Sequence, residues 1–188
     1  MNETFLKHVY RLLALPMTAF DCGKLCAPGN GGVPGCCDSS HAVPILYREE
    51  YRMHRRRTDF WKPFKPRNKA QRKEQADLHP YCVMAACPGA RNCRRGLRSI
   101  ACRSFPFEPH LDDDGDLVGL TFIYRMEDTC PLIGLPREIF NEEYLHNALL
   151  AWMQILNRLD LERDAMRAES RALRRRFRRQ GRSIEIFR

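Results

Sequence analysis

Apolar residues at Phe5, Val9, Leu12 and Leu13 recur at the spacing of one helical face, so residues 1–19 read as an amphipathic helix leaving in extended form at Leu15-Pro16. The periodicity then lapses. Pro28-Gly29-Asn30-Gly31-Gly32 and Pro34-Gly35 forbid long regular structure, and residues 20–44 read as a loop. A short apolar stretch, Val43 to Tyr47, leads into a charged segment running from Arg48 to Lys73. Lys and Arg outnumber acids there, Tyr51, Phe60, Trp61 and Phe64 are interleaved, and Pro63 and Pro66 interrupt any helix. Residues 80–109 read as a second loop. Leu117 to Tyr124, rich in β-branched and aromatic residues, is the best strand, with Asp112-Asp113-Asp114-Gly115-Asp116 as a hairpin turn before it. From Asn141 the pattern is helical, with an apolar stripe of Leu145, Leu149, Trp152, Ile155, Leu156 and Leu159, and the helix runs to about Arg179 before Gly181.

These elements predict a mainly α fold with irregular, metal-organised loops and at most a short β-hairpin. Residues 1–140 would form a cysteine-cluster domain that includes the N-terminal helix, and residues 141–188 a C-terminal helix with an arginine-rich tail. No internal repeat is evident. A chain of 188 residues can bury a modest core. With 12 prolines, 11 glycines and a mean hydropathy of −0.51, that core is expected to be thin, and a metal tying loops together would supply stability.

Nine cysteines change the picture most. Cys22, Cys26, Cys36 and Cys37 form one group, Cys82, Cys87, Cys93 and Cys102 a second, and Cys130 stands apart. Lys7, His8 and Arg11 interrupt the first helix, which therefore lacks the apolar run of a secretory signal, and no segment is apolar enough to span a bilayer. The expectation is a cytoplasmic protein whose thiols stay reduced and bind metal in preference to forming disulfides. Glycines around Cys22, Cys26, Cys36 and Cys37 let the backbone bring several sulfurs to one point. Thiolate suits zinc, iron–sulfur clusters and Cu(I), and the spacing matches neither the usual zinc finger nor the ferredoxin runs. For one cysteine a buried apolar thiol is the ordinary alternative, but it does not serve for eight.

Phe20-Asp21-Cys22-Gly23-Lys24-Leu25-Cys26, followed by Cys36-Cys37, resembles the opening of the YkgJ family of zinc- or iron-chelating cysteine-cluster proteins. Arg98-Ser99-Ile100-Ala101-Cys102-Arg103-Ser104-Phe105-Pro106-Phe107 resembles that family's RPxxCRxFPF element, and Pro109 to Gly115 and Cys130-Pro131-Leu132 continue the similarity over residues 20–135. Ser99 replaces the usual proline, and residues 27–35 lengthen the gap before the cysteine pair. The resemblance implies metal chelation at Cys22, Cys26, Cys36, Cys37, Cys93, Cys102 and Cys130, completed by Cys82 or Cys87. The cofactor implied is an iron–sulfur cluster or zinc; a related domain in flagellin lysine methylases and the vicinal cysteines here favour the cluster. Arg98 and Arg103 would neutralise the thiolate-rich centre or hold an anionic substrate, or else pair with the acids of the 112–116 turn. Phe105-Pro106-Phe107 reads as a hydrophobic cover over the site.

Other candidates fall away. Counting from Gly115 as the sixth position of a calcium loop puts His110 first and Thr121 twelfth, so the acidic stretch is a turn. Among the histidines (8, 41, 54, 79, 110 and 146), His79 alone lies near a cysteine as a substitute ligand. There is no phosphate-binding glycine loop and no nucleophile motif. The formal charge of +9 and a pI of about 9.3 call for an anionic partner, nucleic acid before membrane. Arg171, Arg174, Arg175, Arg178 and Arg182 share a helical face, and the segment 48–73 is the better stacking surface. Two classes stay open: a metal-binding redox or metal-handling protein, and an enzyme or enzyme accessory acting on nucleic acid or protein.

Overall fold

The computed structural model describes residues 1–40 and 42–188. It divides into two compact bodies, one of Met1–Tyr10 and Gly23–Arg103, the other of Arg11–Cys22 and Ser104–Arg188. Helix accounts for 48% of the residues and strand for 13%, and the strands build two antiparallel sheets. The fold is mixed α/β, which corrects the expected mainly α domain of metal-organised loops.

Helix α1 (Glu3–Leu12), in the first body up to Tyr10, buries Phe5, Leu6 and Val9, part of the predicted face, but it stops well short of residue 19. The stretch read as a loop over 20–44 holds only short turns, among them helix α2 (Gly23–Cys26), and His41 lies outside the described residues. Strand β1 (Ile45–Tyr47) runs directly into helix α3 (Arg48–Arg55); strand β2 (Lys62–Pro63) and helix α4 (Lys69–Ala76) follow. Strand β3 (Cys82–Ala86) pairs with both, giving the order β1-β3-β2 with Ile45 opposite Met84, Tyr47 opposite Cys82 and Lys62 opposite Ala86. This strand lies inside the presumed second loop. Its cysteine and glycine neighbours obscured a run in which Cys82, Met84 and Ala85 are buried. Leu46, Trp61 and Ala85 form the core beneath the sheet, with Tyr51, Phe60, Val83, Cys87 and Cys102 packed against it. Trp61 is 1% exposed and donates its indole N–H to the Leu97 carbonyl at 2.9 Å. Helix α5 (Ile100–Ser104) closes the first body.

The second body is organised by a hairpin of β4 (Phe107–Leu111) and β5 (Leu117–Phe122), in register from Phe107 opposite Phe122. Asp112 makes its turn: one carboxylate oxygen accepts the amides of Asp114, Gly115 and Asp116 at 2.9–3.0 Å, and Gly115 takes a φ of 94° that other residues resist. Pro109 is tolerated because β4 is the edge strand, paired only with β5 among the described residues. Phe187 adds a short third rung, exchanging both backbone hydrogen bonds with Leu120 at 2.8 Å. Phe107, Phe122, Phe140 and Phe187 pack with centroids 5.0–5.7 Å apart. Phe107 is therefore the centre of the second body's aromatic core.

Helices α6 (Glu142–Leu156) and α7 (Asp160–Gln180) replace the single helix expected from Asn141 to about Arg179. Asn141 caps α6 by accepting the Glu143 and Tyr144 amides. Leu159, buried, leaves the helical region at φ −128°, and Asp160 and Glu162 restart the helix with acids in its first turn. Arg163 reaches back to the Leu156 carbonyl at 2.8 Å and closes the end of α6. The buried stripe is Tyr144, Leu145, Ala148, Ala151, Trp152, Ile155 and Leu156; Leu149 lies off it.

Gly119 has no room for a side chain: a Cβ there would sit 2.6 Å from both the Phe187 carbonyl oxygen and the Ile186 side chain. Gly119→Ala should push the Phe187 rung off the hairpin and cost about 1–3 kcal/mol, read as a lowered thermal midpoint, because overpacking a rigid contact has that order of cost. An unchanged midpoint would show that the rung contributes nothing.

Candidate metal centre

Short turns carry the cysteines of the first body. Cys26 ends α2, and its sulfur accepts the Gly35 amide at 3.4 Å. Cys36 and Cys37 share the helical turn that begins at Gly35, with sulfurs 4.0 Å apart. Cys87 follows β3, after which Gly89, at φ 83°, reverses the chain so that Cys93 follows the Ala90–Asn92 turn. Cys102 sits on α5 with its amide bonded to the Ser99 hydroxyl at 3.2 Å. All nine cysteines are thiols with no disulfide among them.

Charge shows which sulfurs are neighbours. Burial pushes the Cys102 thiol up to about 11 against hydrogen bonds from Ser99, and nearby Cys87 and Cys37 raise it further. Cys87 is raised too, first by burial and then by Cys37 and Cys93. Cys37 goes the other way: the Cys36 hydrogen bond, helped by the Arg98 charge and opposed by burial, lowers it to about 7. Arg98 donates to the Cys93 sulfur at 3.3 Å, and Cys93, Cys37 and Cys102 hold its proton more firmly than burial loosens it. Cys37, Cys93 and Cys102 thus share the Arg98 charge, and Cys87 joins them through Cys37, Cys93 and Cys102.

The other predicted residues fall elsewhere. Cys22 belongs to the second body, as does Cys130, which is buried with its amide on the Met126 carbonyl at 2.8 Å. Cys82 is buried at the start of β3. His79 accepts the Tyr81 amide at 3.2 Å and packs its ring on Tyr81. Arg103 braces the loop before α5, donating to the carbonyls of Arg98, Arg95 and Gly96, and lies 4.4 Å above the Tyr10 ring. The acids of the 112–116 turn take other partners, Asp113 pairing with Arg171 and Arg174.

A single tetrahedral zinc would hold its thiolates about 3.8 Å apart, from Zn–S bonds of about 2.3 Å. Among the described residues no three cysteine sulfurs lie within 4.8 Å of one another. A cluster whose iron atoms each take a separate thiolate spreads its ligands wider. The donor set is soft and lies beside the Arg98 charge, which suits thiolate ligation.

The sequence did not single out the buried network beside α5. Glu50 is fully buried; one carboxylate oxygen accepts the Tyr10 hydroxyl at 2.6 Å and the Ile100 amide at 2.7 Å, the other the Tyr47 amide at 3.2 Å. His54 Nε2 lies 2.7 Å from the same Tyr10 hydroxyl. The only hint was that Tyr47, Glu50 and His54 fall on one helical face of an otherwise solvated segment. Burial raises the Glu50 carboxyl to about 7, while Tyr10, Ile100 and Tyr47 oppose the shift. His54 is lowered to about 4, first by burial and then by the Arg103 and Arg57 charges.

Neither the family models, the curated proteins nor the solved structures compared with this chain match it.

These shifts set two measurable behaviours. With its carboxyl raised from 4.5 to about 7, the folded state binds more protons at Glu50 than the unfolded chain, so this group's contribution falls as pH rises through that window. His54, lowered from 6.5 to about 4, binds fewer, so its contribution rises with pH over an overlapping window. The two slopes oppose each other, each of order 1.4 kcal/mol per pH unit at most. Relative to wild type, Glu50→Gln should gain stability as pH rises from 4.5 to 7 and His54→Gln should lose it from 4 to 6.5, measured by urea denaturation. Parallel curves for all three proteins would remove the network as a titrating unit. Separately, iodoacetamide should label metal-free protein first at Cys37, with a rate midpoint near pH 7, and Cys102 last. Peptide mapping that finds Cys102 labelled as early as Cys37 would contradict this order.

Proposed function

We propose that the first body holds an iron–sulfur cluster on Cys37, Cys87, Cys93 and Cys102 and that the protein is a redox or metal-handling protein with an anionic partner. The observation that carries this is that Cys37, Cys93 and Cys102 share the charge of Arg98, whose Nε bonds the Cys93 sulfur at 3.3 Å, with Cys87 coupled to all three sulfurs. A cationic neighbour favours the thiolate forms that a metal requires and balances an anionic cluster. Cys37, already near half-ionised at neutral pH, is the ligand readiest to bind, whereas Cys102 gives up its proton only to a metal. Such a group supplies one-electron transfer at a potential set by charge, hydrogen bonds and exposure. The YkgJ-like motifs around Cys22–Cys37 and Cys102 support the same reading. Among the described residues no helix is long and apolar enough to cross a membrane.

Anaerobically purified protein should be brown, with visible absorption, and contain iron and acid-labile sulfide. Cys37→Ser and Cys102→Ser should each lose most of both, while circular dichroism confirms a folded chain. Colourless protein with stoichiometric zinc, or iron retained in both variants, would overturn the assignment.

A further inference from the structure

Most cations of the charged segment are neutralised by acids of the same body. Arg56, Arg57 and Lys7 converge on Glu3, Arg55 and Lys62 on Asp59, and Lys73 on Asp77. Four are not. Lys65, Arg67, Lys69 and Arg72 are all exposed, and among the described residues none has an acidic partner. They are consecutive in the cation order of the chain, running from the exit of β2 through the first turn of α4. Lys69 and Arg72, three residues apart, lie on one face of the helix.

Helix α4 itself asks for an explanation. It buries none of its residues. An eight-residue helix is marginal in water and normally owes its stability to an apolar face against a core. Polar contacts hold α4 in place. Asn68 accepts the Gln71 amide at 2.8 Å, Gln71 accepts the Arg67 amide at 2.8 Å, and the Gln71 amide nitrogen donates to the Ser39 carbonyl at 3.2 Å. One glutamine thus draws Arg67 back over the first turn and moors the helix to the bend that follows Cys37. The outcome is a polar mount that presents four cations without acidic partners.

We propose that Lys65, Arg67, Lys69 and Arg72 dock the phosphate backbone of a double-stranded nucleic acid. The proposal rests on the anionic-partner part of the reading above and is independent of the metal. Surroundings choose the occupant. The large apolar side chains that are exposed are Phe20, Leu25, Tyr81, Met153 and Leu161, none of them between residues 62 and 77. A membrane-binding face needs apolar residues to insert, and a protein partner needs an aromatic or aliphatic anchor; this stretch has neither. Single strands are held by stacking on aromatic rings, yet Trp61 and Phe64 are buried. Phosphate contact needs only positioned cations and releases counterions without reading bases. The arginine-rich tail competes poorly. Arg171 and Arg174 pair with Asp113, Arg182 pairs with Glu127 and Arg167 with Asp164, so Arg175, Arg178 and Arg179 are its exposed cations without an acid among the described residues.

The test uses the full chain and fluorescence anisotropy with labelled DNA and RNA duplexes, titrated between about 50 and 200 mM salt. Wild type should bind a duplex with a steep log–log salt dependence. The variant K65Q/R67Q/K69Q/R72Q should lower that slope by about 3 to 4, at about 0.9 for each phosphate left without its cation. R175Q/R178Q/R179Q should leave it within about one. Circular dichroism and metal content should match wild type in both variants. Wild-type protein that holds no metal yet binds duplexes would remove the metal reading and leave this one standing. No duplex binding at the lowest salt, an unchanged slope in the α4 variant, or binding to phosphatidylserine vesicles or single strands in preference to duplexes would overturn it.

Discussion

Burial of the Glu50 carboxyl is the constraint on which the first body depends. A carboxyl wholly removed from water is costly unless every lone pair finds a donor. Tyr10, Tyr47 and Ile100 supply them, one from α1, one from the β1–α3 junction and one from the start of α5. Three segments distant in sequence are thereby tied to one group. Because Ile100 lies two residues before Cys102, the same carboxyl sets where the cysteine-bearing helix begins. A partly satisfied buried network is worse than an apolar core, so the elements must dock together or not at all.

The same physics gives the cysteine group its asymmetry. Four similar thiols are pulled apart by their surroundings: Cys37, beside Cys36 and the Arg98 charge, ionises readily, while Cys102, packed against the Trp61 core, resists. Arg98, on the loop before α5, and Arg103, on α5 itself, divide the labour. The first faces sulfur, and the second folds back on the loop's carbonyls and the Tyr10 ring. The loop is held by one arginine so that the other can present its charge.

How far the sequence foretold this depends on the kind of signal. Periodicity located α1, the strand at Leu117–Phe122 and the start of α6 at Asn141, because each is decided locally by spacing, branching or a cap. It missed β3, whose five residues carry a cysteine and two alanines and are a strand only because β1 and β2 flank them. It ran α6 and α7 together because Leu159 continues the apolar stripe even though its backbone leaves the helix. The aromatics of the charged segment resembled a stacking surface until Trp61 and Phe64 proved to be core. Of the candidate site, cysteine density was legible, but the subset linked through Arg98 and one another was not, since that depends on where turns far apart in the chain place their sulfurs. Glu50 looked like one more surface charge.

The junction between α6 and α7 has a mechanical meaning. Three residues between two helices would ordinarily act as a hinge, but here the guanidinium of Arg163, in the second helix, holds the last carbonyl of the first and the Asn157 side chain, and Leu159 is sunk between them. The joint is an elbow locked from its inner side. The arginine-rich rod beyond it keeps a fixed bearing relative to α6, so its exposed charges act as a stationary array instead of a sweeping arm.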